Sequence, residues 1–498
     1  MNEKQSQSIN LVLIRPNDQK AVYSGVVSNA ACEPPFWIAT MAAYLKEKGV
    51  DGVKVIDAEA MDQSPEETAE LVEAMAPKLV GVIVTGTNLS ASTQKMHGAG
   101  LLAKCIKPRL STKGGQMFIW GLHPSSLPER TLREEAVDYV IKGEGLPSVE
   151  KLTRYCMGEA QNLNEIEGLY YCKDGEITGN ANISLTDINE MPAPDWSILP
   201  MERYRAHNWH RLHKAPEGRS GYGILATTLG CPFNCEFCAI SSLFGQHCVR
   251  FKDPERVIAE IDDLVNNYHV FYIKIIDECF VLNKDYVSKV CDLLIDRNYD
   301  IDIWAYARID TVDEAILAKL KAANINWLAY GIESADDEVL KGVSKGQYGL
   351  EKTKQVLKMT KDAGINTIAN FMFGLPDDTM DSMKKTLSVA RELNPEFINF
   401  YCTMAYPGSR LYNECVASGT NLPDSWLGYA QLSYECCPLP SKHLSSKEIL
   451  AFRDWAFDAF FEDNGAYFEN IRDKFGEDGV AMINAMLKHK LKRKLLEK

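Results

Sequence analysis

Twice along this chain, short apolar runs alternate with helix-length segments, and that rhythm restricts the fold more than any other feature. Consecutive parallel strands need a crossover of a dozen or more residues, so each block has to wind helices around a parallel sheet. In the first block the strand candidates are residues 10–14, 53–57, 79–85, 117–121 and 138–141. Between them, Ile38, Met41, Ala42 and Leu45 recur at helical spacing within 36–48, and Ser64 with Glu67 brackets Pro65 as a capping box that starts a second helix. Five strands so connected predict an α/β, doubly wound domain of flavodoxin-like or Rossmann-like type over residues 1–150.

Periodicity lapses over 151–215, where Pro192, Pro194 and Pro200 punctuate a polar stretch that contains Asp195 and Trp196; a connector is expected there. Strand candidates return at 222–228, 271–277, 302–306, 326–331, 366–372 and 396–400, each followed by a helical pattern. Six such units predict a partial (βα)6 barrel of TIM type over 216–440. Helices are expected over 441–498, with Trp455, Phe457, Phe460 and Phe461 supplying apolar docking surface. The run Lys488, Lys490, Lys492, Arg493 and Lys494 reads as a solvated helix end, where cations complement the helix dipole. Two large domains with smaller additions suit 498 residues, since single cores stop growing well below that length.

A formal net charge of -14 leaves no broad basic footprint for nucleic acid, so small-molecule substrates are favoured. The polar first ten residues do not form a signal peptide, and no run of about eighteen apolar residues follows; no membrane association and a cytoplasmic location are expected. Fourteen cysteines are scattered through the chain, and in a reducing compartment a cluster of them implies metal rather than disulfides.

One cluster stands out. Directly after the first strand of the second block comes Gly230-Cys231-Pro232-Phe233-Asn234-Cys235-Glu236-Phe237-Cys238. Three thiolates in one loop suit a cubic iron–sulfur cluster in which each sulfur reaches a different iron and the fourth iron keeps no protein ligand. The alternative is a structural zinc site, which would close its tetrahedron with Cys248 or His247.

This CxxxCxxC loop, with an aromatic residue before its last cysteine, resembles the radical S-adenosylmethionine (SAM) superfamily. The resemblance implies a [4Fe-4S] cluster on Cys231, Cys235 and Cys238, SAM chelated at the open iron, and a 5′-deoxyadenosyl radical. It extends to Ile276-Asp277-Glu278, Gly331-Ile332-Glu333-Ser334 and Asn370-Phe371-Met372-Phe373-Gly374-Leu375-Pro376, all at carboxyl ends of strands. By that resemblance Phe237, Glu278, Glu333, Ser334 and Gly374 contact SAM. Arg308 is a candidate partner for a carboxylate, and Tyr406-Pro407-Gly408-Ser409 is either a turn lining the substrate end or a plain Pro-Gly turn.

A flavodoxin-like domain ahead of such a barrel is similar to the cobalamin-binding radical SAM subfamily, which includes methyltransferases and the anaerobic magnesium-protoporphyrin ester cyclase. The matching pieces are Glu33-Pro34-Pro35, Thr85-Gly86-Thr87, Gly121-Leu122-His123-Pro124-Ser125 and Gly143-Glu144-Gly145. The resemblance assigns cobalamin to Thr85, Gly86, Thr87, Gly121, His123, Ser125, Gly143, Glu144 and Gly145, where glycines and hydroxyls permit close approach of a nucleotide tail. The loop Asp57-Ala58-Glu59-Ala60-Met61-Asp62 lacks the cobalt-ligating histidine that many B12 proteins carry in an Asp-x-His-x-x-Gly motif. His123 is expected to support a loop or the cofactor tail rather than to replace it.

The implied activity is a cobalamin-dependent methyl transfer to an unactivated carbon or phosphorus of a small metabolite, with electrons from a low-potential donor such as flavodoxin or ferredoxin. A radical cyclase or rearrangement enzyme is the alternative within the family. An RNA-modifying enzyme and a non-catalytic cobalamin or redox sensor are the readings from other classes; acidity opposes the first, and retention of all three cysteines opposes the second.

Overall fold

The computed structural model describes residues 8–86, 89–159, 162–346 and 348–497. β1 (Leu11–Arg15), β2 (Val53–Asp57), β3 (Leu79–Val84), β4 (Gln116–Gly121) and β5 (Tyr139–Ile141) lie where the apolar runs predict strands. They pair in parallel in the order β2-β1-β3-β4-β5, the flavodoxin-like arrangement. β1 and β3 are buried along their whole length because helices cover both faces. Helix Phe36–Glu47 packs on Leu11, Leu13 and Ile83, while helices Pro65–Met75 and Met96–Ser111 pack on Val12, Ile14 and Val82. The capping box forms: Glu67 N donates to Ser64 Oγ at 3.1 Å and Ser64 N to Glu67 Oε2 at 2.8 Å.

Residues 151–215, expected as a connector, begin as part of this first sheet. Helix Leu146–Met157 runs into them, and β6 (Leu169–Lys173) with β7 (Glu176–Gly179) adds an antiparallel hairpin to the edge of β5. Asp174 and Gly175 turn the hairpin at φ 52° and 84°, the left-handed pair that a tight two-residue turn requires. With three residues, β5 makes a poor edge, and the hairpin caps its exposed backbone. Beyond β7 only short 3-10 turns precede the barrel.

The second sheet opens with β8 (Gly221–Leu225), followed by a small antiparallel ribbon of β9 (Thr228–Leu229) and β10 (Arg250–Phe251). β11 (Val270–Ile275), β12 (Asp302–Ala307), β13 (Ile325–Glu333), β14 (Asn366–Phe373) and β15 (Phe397–Cys402) then extend β8 into six parallel strands in sequential order. In register, Ile224, Lys274, Trp304 and Trp327 stand side by side on one face. At the amino end of that face Trp209 packs on Trp304 and Trp327 with ring centres 5.5 and 5.0 Å away, and Phe475 stacks on Trp327 at 5.7 Å. An open barrel thus has its floor closed by the connector and by helix Gly465–Leu487.

Two expectations for the C-terminal region need correcting. Phe460 and Phe461 dock, each against Tyr467, but Trp455 is 53% exposed, because the buried stripe of helix Ser446–Phe461 runs through Ile449, Phe452, Ala456 and Phe460 and leaves it outside. The basic run is not uniformly solvated either. Arg493 is buried, donating to Asp454 at 2.9 and 3.0 Å and to the carbonyls of Gln431 and Ser433 at 2.9 and 2.8 Å, so its charge is fully used within the protein. No helix among the described residues is long and apolar enough to cross a membrane.

At the carboxyl ends of β1 and β2 lies a buried charge network. Arg15 meets Asp57 at 3.4 Å and also Glu59; Lys95 bridges Asp18 at 2.8 Å and Glu59 at 2.7 Å; Gln19 donates to Glu59 at 3.0 Å. Burial alone would raise the Glu59 pKa, but Arg15 and Lys95 outweigh it and hold it at about 2. Glu59→Gln should therefore lower stability by about 3–5 kcal/mol in urea denaturation at neutral pH. Because the folded pKa is depressed, the Glu59 contribution is complete above its ordinary value of 4.5 and lost as pH falls toward about 2, so acid unfolding of the variant should be flatter across that window.

Candidate functional site

The cysteine loop leaves the sheet after β9, and its start is fixed by backbone geometry. Gly230 has φ 93°, and a Cβ there would lie 2.3 Å from the Cys248 carbonyl oxygen, so only glycine lets the two ends of the 228–251 excursion close against each other. Within the loop Cys238 N donates to the Cys235 carbonyl at 3.0 Å, and Glu236 is tied by its backbone to Val343 and Leu411 at 3.1 and 2.9 Å. Cys231, Cys235 and Cys238 are half-buried free thiols, and burial pushes the Cys231 and Cys238 thiols up to about 11 and about 12. Two groups approach the sulfurs: Ser90, from the loop after β3, puts Oγ 3.1 Å from Cys238 Sγ, and Arg308 puts Nη1 3.9 Å from Cys235 Sγ. Arg308 also lies 3.6 Å over the Phe233 ring and pairs with Asp310 at 2.9 Å, so its carboxylate partner is a neighbour in the chain. Among the described residues no group of three or more His, Cys, Asp or Glu, the three cysteines included, is drawn together tightly enough for a single ion. Three thiols with hydrogen-bond donors at two of them suit an iron–sulfur cluster, whose potential such donors tune.

The strand-end residues divide into two kinds. Asp277 is buried and accepts from Thr227 N at 2.7 Å, Thr227 Oγ1 at 2.5 Å and Thr228 Oγ1 at 2.8 Å, so it splices β8 to β11 rather than facing a ligand. Its neighbour Glu278 faces a cavity instead; burial, then the Asp277 charge, raises its pKa to about 7, while Lys274 pulls against them. Glu333 sits at φ 64° and accepts from Lys345 Nζ at 2.9 Å. Ser334 Oγ is buried and accepts from Asp336 N at 3.1 Å, helping to start helix Asp337–Lys341. Gly374, at φ 82°, has its N–H on Asp378 at 3.0 Å and no room for a Cβ beside Ile449. Phe237 packs with Leu375 and Met372 beneath the cysteine loop. The 406–409 segment is a turn wedged between domains: the Gly408 carbonyl accepts from Ser242 at 3.0 Å, and Ser409 caps helix Arg410–Ser418.

The first-domain candidates separate in the same way. Thr85 and Gly86 line the cavity, whereas Thr87 lies outside the described residues. Gly121, Gly143 and Gly145 have positive φ, but a Cβ at each would strike Val84, Ile183 and Trp120, so protein packing already explains them. Ser125 Oγ accepts from Gly143 N at 3.1 Å. Glu144 is buried and holds Arg250 of β10 together with Thr186 N at 3.0 Å. His123 is buried, bonded to Thr93 Oγ1 at 3.1 Å and set edge-on to Trp426 at 4.4 Å; burial, then Arg130, lowers its pKa to about 3, so it is neutral. The position of the missing histidine is Glu59, whose carboxylate is already occupied by Arg15, Lys95 and Gln19.

A cavity of about 100 Å³ lies where the two sheets meet at their carboxyl ends, lined by Arg15, Glu33, Trp37 and Thr85 from the first domain and by Glu278 and Tyr306 from the second. Glu33 is held there by Lys274 Nζ, 3.0 Å from both carboxylate oxygens, and by Tyr222 Oη at 3.1 Å. Lys274, Tyr306 and Arg15 were not among the residues expected from sequence; the available signal was a single charged residue in the apolar strand Val270–Ile275. Gly230→Ala should displace the cysteine loop, and iron bound per chain after anaerobic reconstitution should fall by about tenfold while far-ultraviolet circular dichroism stays unchanged.

Comparison with known proteins agrees with this geometry. A family model described as the radical SAM superfamily matches residues 225–390, and one described as a B12 binding domain matches residues 25–152. An uncharacterized methyltransferase of Pyrococcus horikoshii is 27% identical over 453 residues, 91% of this chain and 92% of that protein. The anaerobic magnesium-protoporphyrin IX monomethyl ester cyclase of Rubrivivax gelatinosus is 27% identical over 412 residues, 81% of this chain and 69% of that protein. Among solved structures, the radical SAM methyltransferase TsrM from Kitasatospora setae, with cobalamin and a [4Fe-4S] cluster bound, superposes with a TM-score of 0.68 at 16% identity, covering 91% of this chain and 89% of that one. The chain belongs to the radical SAM superfamily, in the branch that carries a B12-binding domain ahead of the radical SAM barrel.

Proposed function

We propose that the protein is a cobalamin-dependent radical SAM methyltransferase acting on an unactivated carbon or phosphorus of a small molecule. The observation that carries this reading is the seam itself: Ser90 of the first domain touches Cys238 of the cluster loop, and one cavity joins Thr85 and Arg15 to Glu278 and Tyr306. When bound, the cluster supplies the electron that cleaves SAM and cobalamin supplies a methyl carrier, chemistry that no side chain provides.

The chain's own residues bind and orient. Cys231, Cys235 and Cys238 hold the cluster, and Arg308 and Ser90 donate toward its sulfurs. Glu278 offers a carboxylate to the ammonium group of SAM; Glu333, Ser334, Gly374 and Phe237 shape the rest of that site. Thr85 and Gly86 face the cobalamin side, with Gly121, Ser125, Gly143, Glu144 and Gly145 holding the loops behind them and His123 bracing the same wall. With Glu59 locked by Arg15 and Lys95, its carboxylate would not be free to ligate cobalt. On the inner face of the barrel, Tyr306, Tyr401 and the Asn370–Asn399 pair, joined at 2.9 Å, present hydroxyl and amide groups to a substrate. A low-potential flavodoxin or ferredoxin would supply the electrons.

The cyclase relative supports a second reading, a radical rearrangement without net methyl transfer. Anaerobically reconstituted protein with methyl-labelled SAM decides between them: label should appear on bound cobalamin and then on a small-molecule acceptor. Deoxyadenosine released with label remaining only in SAM and methionine would favour the cyclase reading. Cys235→Ala should abolish SAM cleavage, and cleavage retained in that variant would overturn the cluster assignment.

A further inference from the structure

We propose that Glu33, Lys274 and Tyr222 are positioning residues that lock the B12-binding domain over the mouth of the barrel, so that removing this lock uncouples transfer of a methyl group onto cobalamin from SAM cleavage. The inference rests on the methyltransferase reading and adds the device that aligns its two halves.

Glu33 belongs to the first domain, immediately before helix Phe36–Glu47, yet its carboxylate is planted among residues of the second. Lys274 on β11 donates to both carboxylate oxygens at 3.0 Å and Tyr222 on β8 donates at 3.1 Å. All three are buried, Lys274 at 1% exposure, and Lys274 also lies 5.0 Å over the Trp304 ring, which braces it from below. The arm that carries Glu33 is stiff, because Pro34 and Pro35 follow it with fixed φ. The same residue is gripped from its own domain, where Arg15 donates to the Glu33 carbonyl. Side chain and backbone are thus clamped from opposite sides of the seam, and Glu33, Arg15 and the succeeding Phe36 and Trp37 all line the shared cavity. Glu33 and Lys274 also neighbour Glu278, whereas Tyr222 lies outside both the cysteine loop and the cavity, so SAM cleavage does not depend on Tyr222 directly while the placement of the B12-binding domain does.

The test uses full-length, reconstituted protein carrying Glu33→Gln, Lys274→Met or Tyr222→Phe. Three quantities are measured: amide hydrogen exchange of the wild type and variants, methylcobalamin formation from methyl-labelled SAM, and 5′-deoxyadenosine release. In Glu33→Gln and Lys274→Met, exchange at the start of helix Phe36–Glu47 and along β11 should rise about tenfold, and methylcobalamin formation should fall about a hundredfold, as for an angstrom-scale misplacement. Tyr222→Phe, which deletes one hydrogen bond and lies outside the cavity, should raise exchange and lower methylcobalamin formation at a smaller amplitude, while its deoxyadenosine release changes by less than about threefold. Unchanged exchange, or methyl transfer and cleavage falling in parallel in Tyr222→Phe, overturns the proposal. Should Lys274→Met fail to fold, Glu33→Gln and Tyr222→Phe still decide it. A wild type that forms no methylcobalamin sinks the methyltransferase reading instead, and the exchange measurement still judges the lock.

Discussion

A lysine in the middle of an apolar strand cannot stay charged without a partner, and the arrangement of the two domains follows from how Lys274 finds one. Its ammonium is almost wholly removed from water, and the carboxylate that answers it lies 241 residues away in sequence, on Glu33. Breaking one side of such a buried pair leaves an uncompensated charge worth about 3–5 kcal/mol. The first domain therefore supplies the partner of the lysine buried in the second of the barrel's strands. Glu144 with Arg250 repeats the device at β10, so charges cross the seam at two places.

This seating brings the carboxyl ends of two parallel sheets face to face. Each sheet taken alone offers ligands the crevice at those ends. Opposed, the two crevices become one cavity, with Ser90 of the first domain in contact with Cys238 of the cysteine loop in the second. Chemistry that needs a radical source and a group carrier within reach of one substrate is served by that apposition, and little else in the fold is specialised for it.

Much of the fold was legible in the sequence. Five and then six apolar runs became the parallel strands of two sheets, since strands buried on both faces read as continuous apolar segments. The hairpin at Asp174-Gly175 was missed: the Asp-Gly pair is the signal for a two-residue turn, but the polar residues and prolines beyond it made the whole stretch read as a connector. The candidate site was read less evenly. Glycines at 121, 143 and 145 suggested room for a ligand, and the structure spends each of them on contacts with Val84, Ile183 and Trp120. The resemblance assigned SAM to Glu278 and not to its neighbour Asp277, and alternation at the strand end sends Asp277 into a splice with Thr227 and Thr228 and Glu278 toward the cavity. Trp455 and Arg493 exchanged their expected environments because burial depends on which stripe of a helix, or which turn after it, meets the core.

The sequence by itself determined the chemistry held in local spacing: three cysteines on one loop, the glycine that starts it, the alternation that makes both sheets parallel, and the absence of histidine after β2. Each depends on residues close together in the chain, where backbone geometry alone fixes their relation. Only the tertiary structure decided which strand-end carboxylate is free, that Glu59 is locked by Arg15 and Lys95, and that Glu33 pairs with Lys274 across the domains. Those outcomes rest on contacts between residues tens to hundreds of positions apart, and no local pattern specifies which distant charge a buried one will meet.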